Sequence, residues 1–447
     1  MNSFIIRNAQ VINEGKIFSG DVLIRGNRIE RIDTSFDVKF KVAEIDATGL
    51  YLMPGIIDDQ VHFREPGLTH KATIYSESRA GVAGGVTSFM EMPNTNPPAT
   101  TIALLEDKYT IASNTSLANY SFFMGTNLRN LDELMKVDKT KVCGIKIFMG
   151  SSTGDMLVDD PDILDKIFSA CNDILIATHC EDDRLVKERT EEYKKEYGEN
   201  IPFECHAEIR NETVCLNSSA FAVNLAKKHN SRLHVLHIST AEELNLFRND
   251  IPLKDKRITA EVCVHHLWFD KSDYASLGSK IKCNPAIKEA RHKAALFQAM
   301  LDDRLDIIAT DHAPHTMEEK NNTYLKAPSG LPLIQHALNM MLEFYHDGKI
   351  SLEKIADKMC HKPAECFQIK DRGYVREGYY ADLALIDIHK TWKVNQENIL
   401  YKCKWSPFEG KEFRGKVEKT FVNGNLVYDQ GLFTESIKGE RLAFDRK

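Results

Sequence analysis

Eight short apolar runs punctuate the middle of the chain and constrain its fold more than any other feature: "GIIDDQVH", "GVTSFMEMP", "NYSFFMGT", "CGIKIFMGS", "DILIATHC", "LHVLHIS", "ITAEVCV" and "LDIIATDH". Each has the length of a strand and reads as nearly continuous hydrophobicity, the pattern of strands covered on both faces. Most are separated by stretches of helical periodicity, such as "NETVCLNSSAFAVNLAKKH". Strands alternating with helices in this way predict an α/β fold, a (β/α)8 TIM barrel. The flanks behave differently. "SFIIRNAQVINEGKIFSGDVLIRGNRIERID" alternates β-rich runs with Gly and Asn turns, and "VEKTFVNGNLVYDQG" near the end carries a hairpin signal in "NGN". The two flanks are expected to meet as one small β-sandwich domain built from both termini. Residues 1–53 and 373–447 then form the sandwich and 54–372 the barrel.

A chain of 447 residues can hold such a pair of domains. Its net charge of −7, with no basic block, argues against nucleic acid or a membrane surface as partner. No apolar run is long enough to cross a bilayer, and "MNSFIIRNAQVINEG" lacks the basic and apolar regions of a secretion signal. The ten cysteines are scattered without a CxxC pair, which fits reduced thiols. Cys180 and Cys263 lie inside apolar runs and are expected to be buried small hydrophobes. These features predict a cytoplasmic protein whose partner is neither nucleic acid nor a membrane.

Barrel enzymes place their chemistry at the C-terminal ends of the strands. Five polar residues stand there: His62, Lys146, His179, His237 and Asp311. A lone strand histidine is usually a satisfied core residue, and a strand-end aspartate is often a helix cap. Five at five strand ends are harder to dismiss, because a barrel gathers those ends into one ring. Imidazole and carboxylate are zinc ligands. Lys146 is the odd member, since an ammonium repels metal. A buried lysine with a depressed pKa can instead react with carbon dioxide, giving a carbamate suited to bridging two cations.

The strings "DDQVHFREPGLTHK", "MEMPNTNP", "ATHCED", "HVLHIST", "KCNP" and "ATDHAPH" resemble the dihydroorotases of the amidohydrolase superfamily, over about Pro54 to Gly330. The resemblance implies a barrel enzyme that interconverts dihydroorotate and N-carbamoyl-aspartate in pyrimidine synthesis. Carried over by position, His62, His179, His237 and Asp311 match metal ligands, and Lys146 matches the carboxylated lysine of some relatives and of hydantoinases. Arg64 and Asn94 match binders of the substrate carboxylate, and Asn284 and His315 match further substrate contacts. Asp311 would also move the proton between the nucleophile and the leaving ring nitrogen. Dimers are common in the superfamily, which makes a homodimer compatible.

Two departures stand out. The region where some relatives carry a bridging aspartate reads "MGSS", without a carboxylate. Gln60 occupies the place of the first metal-binding histidine, and a neutral amide oxygen is a weak zinc ligand beside imidazole. The expectation is one firmly held zinc, with a second held weakly or not at all. Asp58 is expected to be structural. Two rival readings are a hydantoinase or allantoinase, which would lack Arg64, and an inactive dihydroorotase-like scaffold, which Gln60 suggests but an intact "TDHAPH" opposes.

Overall fold

The computed structural model describes residues 3–151 and 154–446. Met1, Asn2 and Lys447, at the outer edges of the expected sandwich segments, lie outside them, as do Ser152 and Thr153.

Five strands precede the barrel: β1 (Ser3–Asn13), β2 (Lys16–Arg25), β3 (Arg28–Asp33), β4 (Ala43–Asp46) and β5 (Tyr51–Pro54). Every apolar run of the middle region then supplies a parallel strand. They are β6 (Ile56–Val61), β7 (Val86–Glu91), β8 (Asn119–Phe122) continued by β9 (Met124–Gly125), β10 (Ile145–Phe148), β11 (Leu175–His179), β12 (Arg232–Val235), β13 (Ile258–Cys263) and β14 (Ile307–Ala309). Two arcs form, β6-β7-β8 and β9-β10-β11-β12-β13-β14. The third run changes partners at Phe123: its N–H bonds to Glu91 O, and the next, of Met124, to Gly144 O.

The ring closes between the first and last strands through side chains as much as backbone. His62 N–H donates to His312 O at 2.7 Å. Asp58 accepts from the Thr310 hydroxyl at 2.6 Å and from Thr310 N–H at 3.2 Å. Asp58 is therefore a structural clasp, as its strand-end position suggested. Inside the ring, Ile57, Met90, Phe123, Leu175, Leu236 and Ile307 pack with Phe367, Leu442 and Phe444, so the foot of the barrel is filled rather than open.

The helical stretch quoted above folds as Glu212–His229. Asn211 caps it by accepting from Val214 N–H, a contact worth roughly 1 kcal/mol. Val214, Ser218, Ala222 and Ala226, four apart, face inward. Lys227, Lys228 and His229 sit where the helix dipole is negative, and Asn230, at φ 52°, stops the helix in the left-handed conformation.

After the barrel come β15 (Leu383–Lys393), β16 (Glu412–Val422), β17 (Asn425–Asp429) and β18 (Leu432–Phe433). They join the N-terminal strands in one sheet of order β18-β17-β16-β15-β5-β1-β2-β3, with β4 paired to β1. The seam is β5, parallel to β1 and antiparallel to β15. Ile6, Val22, Ile29, Leu52, Leu383 and Phe421 make a core of their own, separate from the barrel's. Among the described residues no helix is long and apolar enough to cross a membrane.

Candidate active site

At the C-terminal ends of the barrel strands a cavity of about 90 Å³ is lined by Gln60, His62, Arg64, Asn94, Lys146, His179, His237, Asn284 and Asp311. Phe148, Ser151, Ala313, Ser329 and Gly330 complete its wall. The five strand-end candidates and three of the four expected substrate contacts thus meet in one place. The fourth, His315, stands behind Arg64. Arg64, His237 and Asp311 have φ of 69°, 40° and 47°. Side-chain-bearing residues seldom adopt this left-handed region, and each costs on the order of 1–3 kcal/mol there. The fold spends stability to aim these three.

One half of the cavity holds His179, His237 and Lys146. His179 Nδ1 lies 2.9 Å from His237 Nε2, while His179 Nε2 meets Glu181 Oε2 at 2.8 Å. Glu181 can only accept, so it fixes the proton of His179 on Nε2 and leaves the Nδ1 lone pair facing His237 Nε2. His237 Nδ1 is buried with no hydrogen-bond partner among the described residues. Burial favours the neutral form of both rings, and next to Lys146 they are better ligands than cations. Lys146 is buried, with its Nζ 4.5 Å from the centre of the Phe148 ring. Burial lowers its ammonium to about 7. Two neutral imidazoles side by side and a lysine able to lose its proton fit a zinc-type ion.

Sequence reasoning missed Glu181 and its support. Burial alone would raise this carboxyl, but Arg210 at 2.5 Å and the His179 hydrogen bond hold it well below the usual range. Ser151 adds a hydrogen bond at 2.7 Å. The signal was present as His-x-Glu in "THCE". Arg210 explains part of "FECHAEIRNE", which meets the site by bracing Glu181.

The other half is tied up internally. His62 Nε2 lies 3.1 Å from Asp311 Oδ1, and Gln60 Nε2 donates to the same oxygen at 3.2 Å. Gln60 Oε1 faces the Cys263 thiol at 3.6 Å, and His62 Nδ1 meets Asn94 Oδ1 at 2.7 Å. Cys263 and Cys180 are buried, as expected. Burial raises the Asp311 carboxyl, yet His62 and the neighbouring imidazoles outweigh it and hold it below the usual value. Of the "MGSS" stretch, Ser152 lies outside the described residues.

The remaining wall is cationic. Arg64 is buried, donates to Pro314 O at 3.1 Å and contacts His315 at 3.0 Å, and pairs with no carboxylate among the described residues. Burial lowers it only to about 10, so it stays charged. Asn284 Oδ1 accepts from the Ser329 hydroxyl at 3.0 Å. Ser329 belongs to "APSGLP", which buried lysines tether. Lys282 Nζ donates to Ala327 O at 2.6 Å, and Lys320 Nζ to Pro328 O and Gly330 O, both at 2.9 Å. A Cβ on Gly330 would stand 2.5 Å from Ala313 O, so only glycine lets this segment approach the cavity so closely.

The sequence profile described as "Amidohydrolase family" matches residues 51–427. The chain belongs to the amidohydrolase family. Amidohydrolase-family enzymes are generally metal-dependent, and this cavity gathers nitrogen and carboxylate donors suited to a metal. Among sequence relatives, a dihydroorotase from Bacillus subtilis (strain 168) is 34% identical over 442 residues, 96% of this chain and 99% of the relative. A dihydroorotase from Halobacterium salinarum is 31% identical over 427 residues, 95% and 96% of the two chains. Among solved structures, an L-hydantoinase from Arthrobacter aurescens superposes with a TM-score of 0.91 at 25% identity, covering 97% of each chain. A dihydropyrimidinase from Brevibacillus agri, at 24% identity and a TM-score of 0.89, shares the amidohydrolase barrel-plus-sheet fold.

Proposed function

We propose that this amidohydrolase is a zinc-dependent dihydroorotase, a cyclic amide hydrolase that interconverts L-dihydroorotate and N-carbamoyl-L-aspartate in pyrimidine synthesis. The observation that carries the substrate choice is Arg64. A buried guanidinium without a carboxylate partner, facing the reaction cavity, is costly unless a ligand brings the missing anion. Dihydroorotate has a carboxylate on its ring; an unsubstituted hydantoin has none. The names of the sequence relatives agree.

In this reading His179, His237 and Lys146 hold one zinc firmly, with Lys146 as its carbamate. His62 and Asp311 face a second position that Gln60 leaves weak. Zinc bound there polarises the scissile carbonyl and lowers the pKa of water from about 15.7 toward 7. The chain's own groups do the rest. Arg64 grips the substrate carboxylate through its planar fork, with Asn94 beside it. His315, held against Arg64 and Ser329, and Asn284, held by Ser329, orient the ring. Asp311 keeps Oδ2 clear of the hydrogen bonds from His62 and Gln60, both of which fall on Oδ1. That free oxygen takes the proton of the attacking water and returns it to the leaving ring nitrogen.

We assign residues 54–372 to the catalytic barrel domain and 1–53 and 373–447 to the sandwich. Ten unpaired cysteines support a reducing, cytoplasmic setting, and the superfamily resemblance supports a homodimer. The test of function is steady-state turnover of dihydroorotate beside hydantoin and allantoin, with zinc counted in the same sample. Turnover confined to dihydroorotate is expected; preference for an uncharged ring, or no turnover by zinc-loaded protein, overturns the assignment.

A further inference from the structure

Below the catalytic cavity, facing the barrel interior, lies a second set of donors. Asp59 on β6, His234 on β12 and Glu261 on β13 are each wholly buried. One ligand atom from each lies within 4.8 Å of the other two. His234 Nε2 is 3.1 Å from Glu261 Oε2 and 3.3 Å from Asp59 Oδ2. The His234 ring packs against Phe367, whose helix belongs to the filled foot of the barrel. The cluster therefore sits in the floor, away from the wall that would receive substrate.

Hydrogen bonding around it brings few protons to its two carboxylates. The Thr259 hydroxyl lies 3.2 Å from Leu233 O, 2.8 Å from His234 Nδ1 and 3.5 Å from Cys366 Sγ, so it can accept from Nδ1 while donating to the carbonyl. His234 Nε2 is then the ring atom turned toward the two carboxylates, and a metal ion there would take the place of a ring proton. Glu261 Oε1 is engaged by His237 N–H at 3.1 Å, which leaves Oε2 for the cluster. Neither carboxylate oxygen of Asp59 has a hydrogen-bond partner among the described residues. Two wholly buried carboxylates converge on one ring nitrogen, which can offer at most a single proton to the pair.

We propose that Asp59, His234 and Glu261 form a second, structural metal site in the barrel floor, taking a divalent transition ion of the zinc type. One nitrogen and two carboxylate donors suit borderline ions, and the Thr259 hydroxyl orients the imidazole as outer-sphere partners of metal-bound histidines do. The floor ion would sit directly under the catalytic half that Gln60 and Cys263 occupy. The Cys263 thiol reaches Gln60 Oε1 above and lies 3.9 Å from Glu261 Oε1 below. This inference does not depend on the identity of the substrate.

The test uses crystals of the full-length zinc-loaded protein and anomalous scattering on either side of the zinc edge. A peak about 2.0–2.2 Å from His234 Nε2 and from oxygens of Asp59 and Glu261 is expected, separate from any peak at His179 and His237. Metal analysis gives an independent reading. The double variant His179→Ala/His237→Ala, which strips the catalytic half, should keep one equivalent of zinc, and adding Asp59→Asn should remove it. A catalytic peak with no floor peak overturns the proposal and leaves protons alone to bridge the carboxylates. A folded double variant without zinc overturns it too. Should either variant fail to fold, the crystals of the unaltered protein decide.

Discussion

The two halves of the catalytic cavity use similar residues to opposite ends. Around His179 and His237 the supporting hydrogen bonds come from behind, from Glu181 and Arg210; the rings face only each other, and His237 Nδ1 has no partner among the described residues. Around His62 and Asp311 the polar groups satisfy one another, with Gln60 and Asn94 filling the gaps. A group of donors that is frustrated without a cation needs one; a group that has closed its own circuit does not. The comparison teaches that metal number follows from the partners of the ligands as well as from the ligands themselves.

The sharpest way to break this contrast is Asp311→Asn. It should lower kcat by about 10²–10⁴-fold, the usual worth of a positioned acid–base group, while zinc at the imidazole half stays. Near-normal turnover would remove Asp311 from the chemistry. Arg64→Met should raise KM for dihydroorotate about 10- to 150-fold, corresponding to about 1.5–3 kcal/mol for a charge-assisted contact, with zinc content unchanged. An unaltered KM would detach Arg64 from the carboxylate.

Lys146 gives a pH dependence. Its amine is neutral above about 7, and only the neutral amine adds carbon dioxide. Carbamate formed by metal-free protein in labelled bicarbonate, followed by carbon-13 NMR, should grow as pH rises from 6 to 8. It should fall up to about tenfold for each unit below 7; a flat profile would discard the carbamate. The mildest change is Gln60→His, which should add one zinc, seen as a new anomalous peak beside His62 and Asp311. A peak already present there in the unaltered protein would mean that the hydrogen-bonded half takes metal after all.

The barrel was legible because its strands are buried on both faces and read as uninterrupted apolar runs, each with its polar residue at the correct end. Arg64 and Asp311 stood in specific strings and lie in the cavity those strings suggested. Less visible were residues whose work depends on pairing across the ring. Asp58 clasps Thr310, 252 positions away. Glu181 gains meaning only beside Arg210, and Asp59 only beside His234 and Glu261. The pairing of β6 with β7 shifts register between Asp58 and Val61, so strict alternation could not say which of Asp59 and Gln60 looks inward. His292, on the helix Ala290–Leu301, is buried and accepts from Ala241 N–H, a partner 51 positions away. Likewise, that β5 seams both terminal strand sets together is a matter of long-range register, which composition does not encode.

The tethering of residues 327–332 has a kinetic consequence. Lys282 and Lys320 are buried deeply enough that each is lowered to about 7, and both anchor the segment through carbonyl oxygens, while Gly330 abuts Ala313 without slack. Swinging that stretch outward would strand two amines in an apolar interior and open a void beside them. This side of the pocket behaves as masonry, not as a door, so reactant and product must pass through an aperture whose width these six residues keep constant.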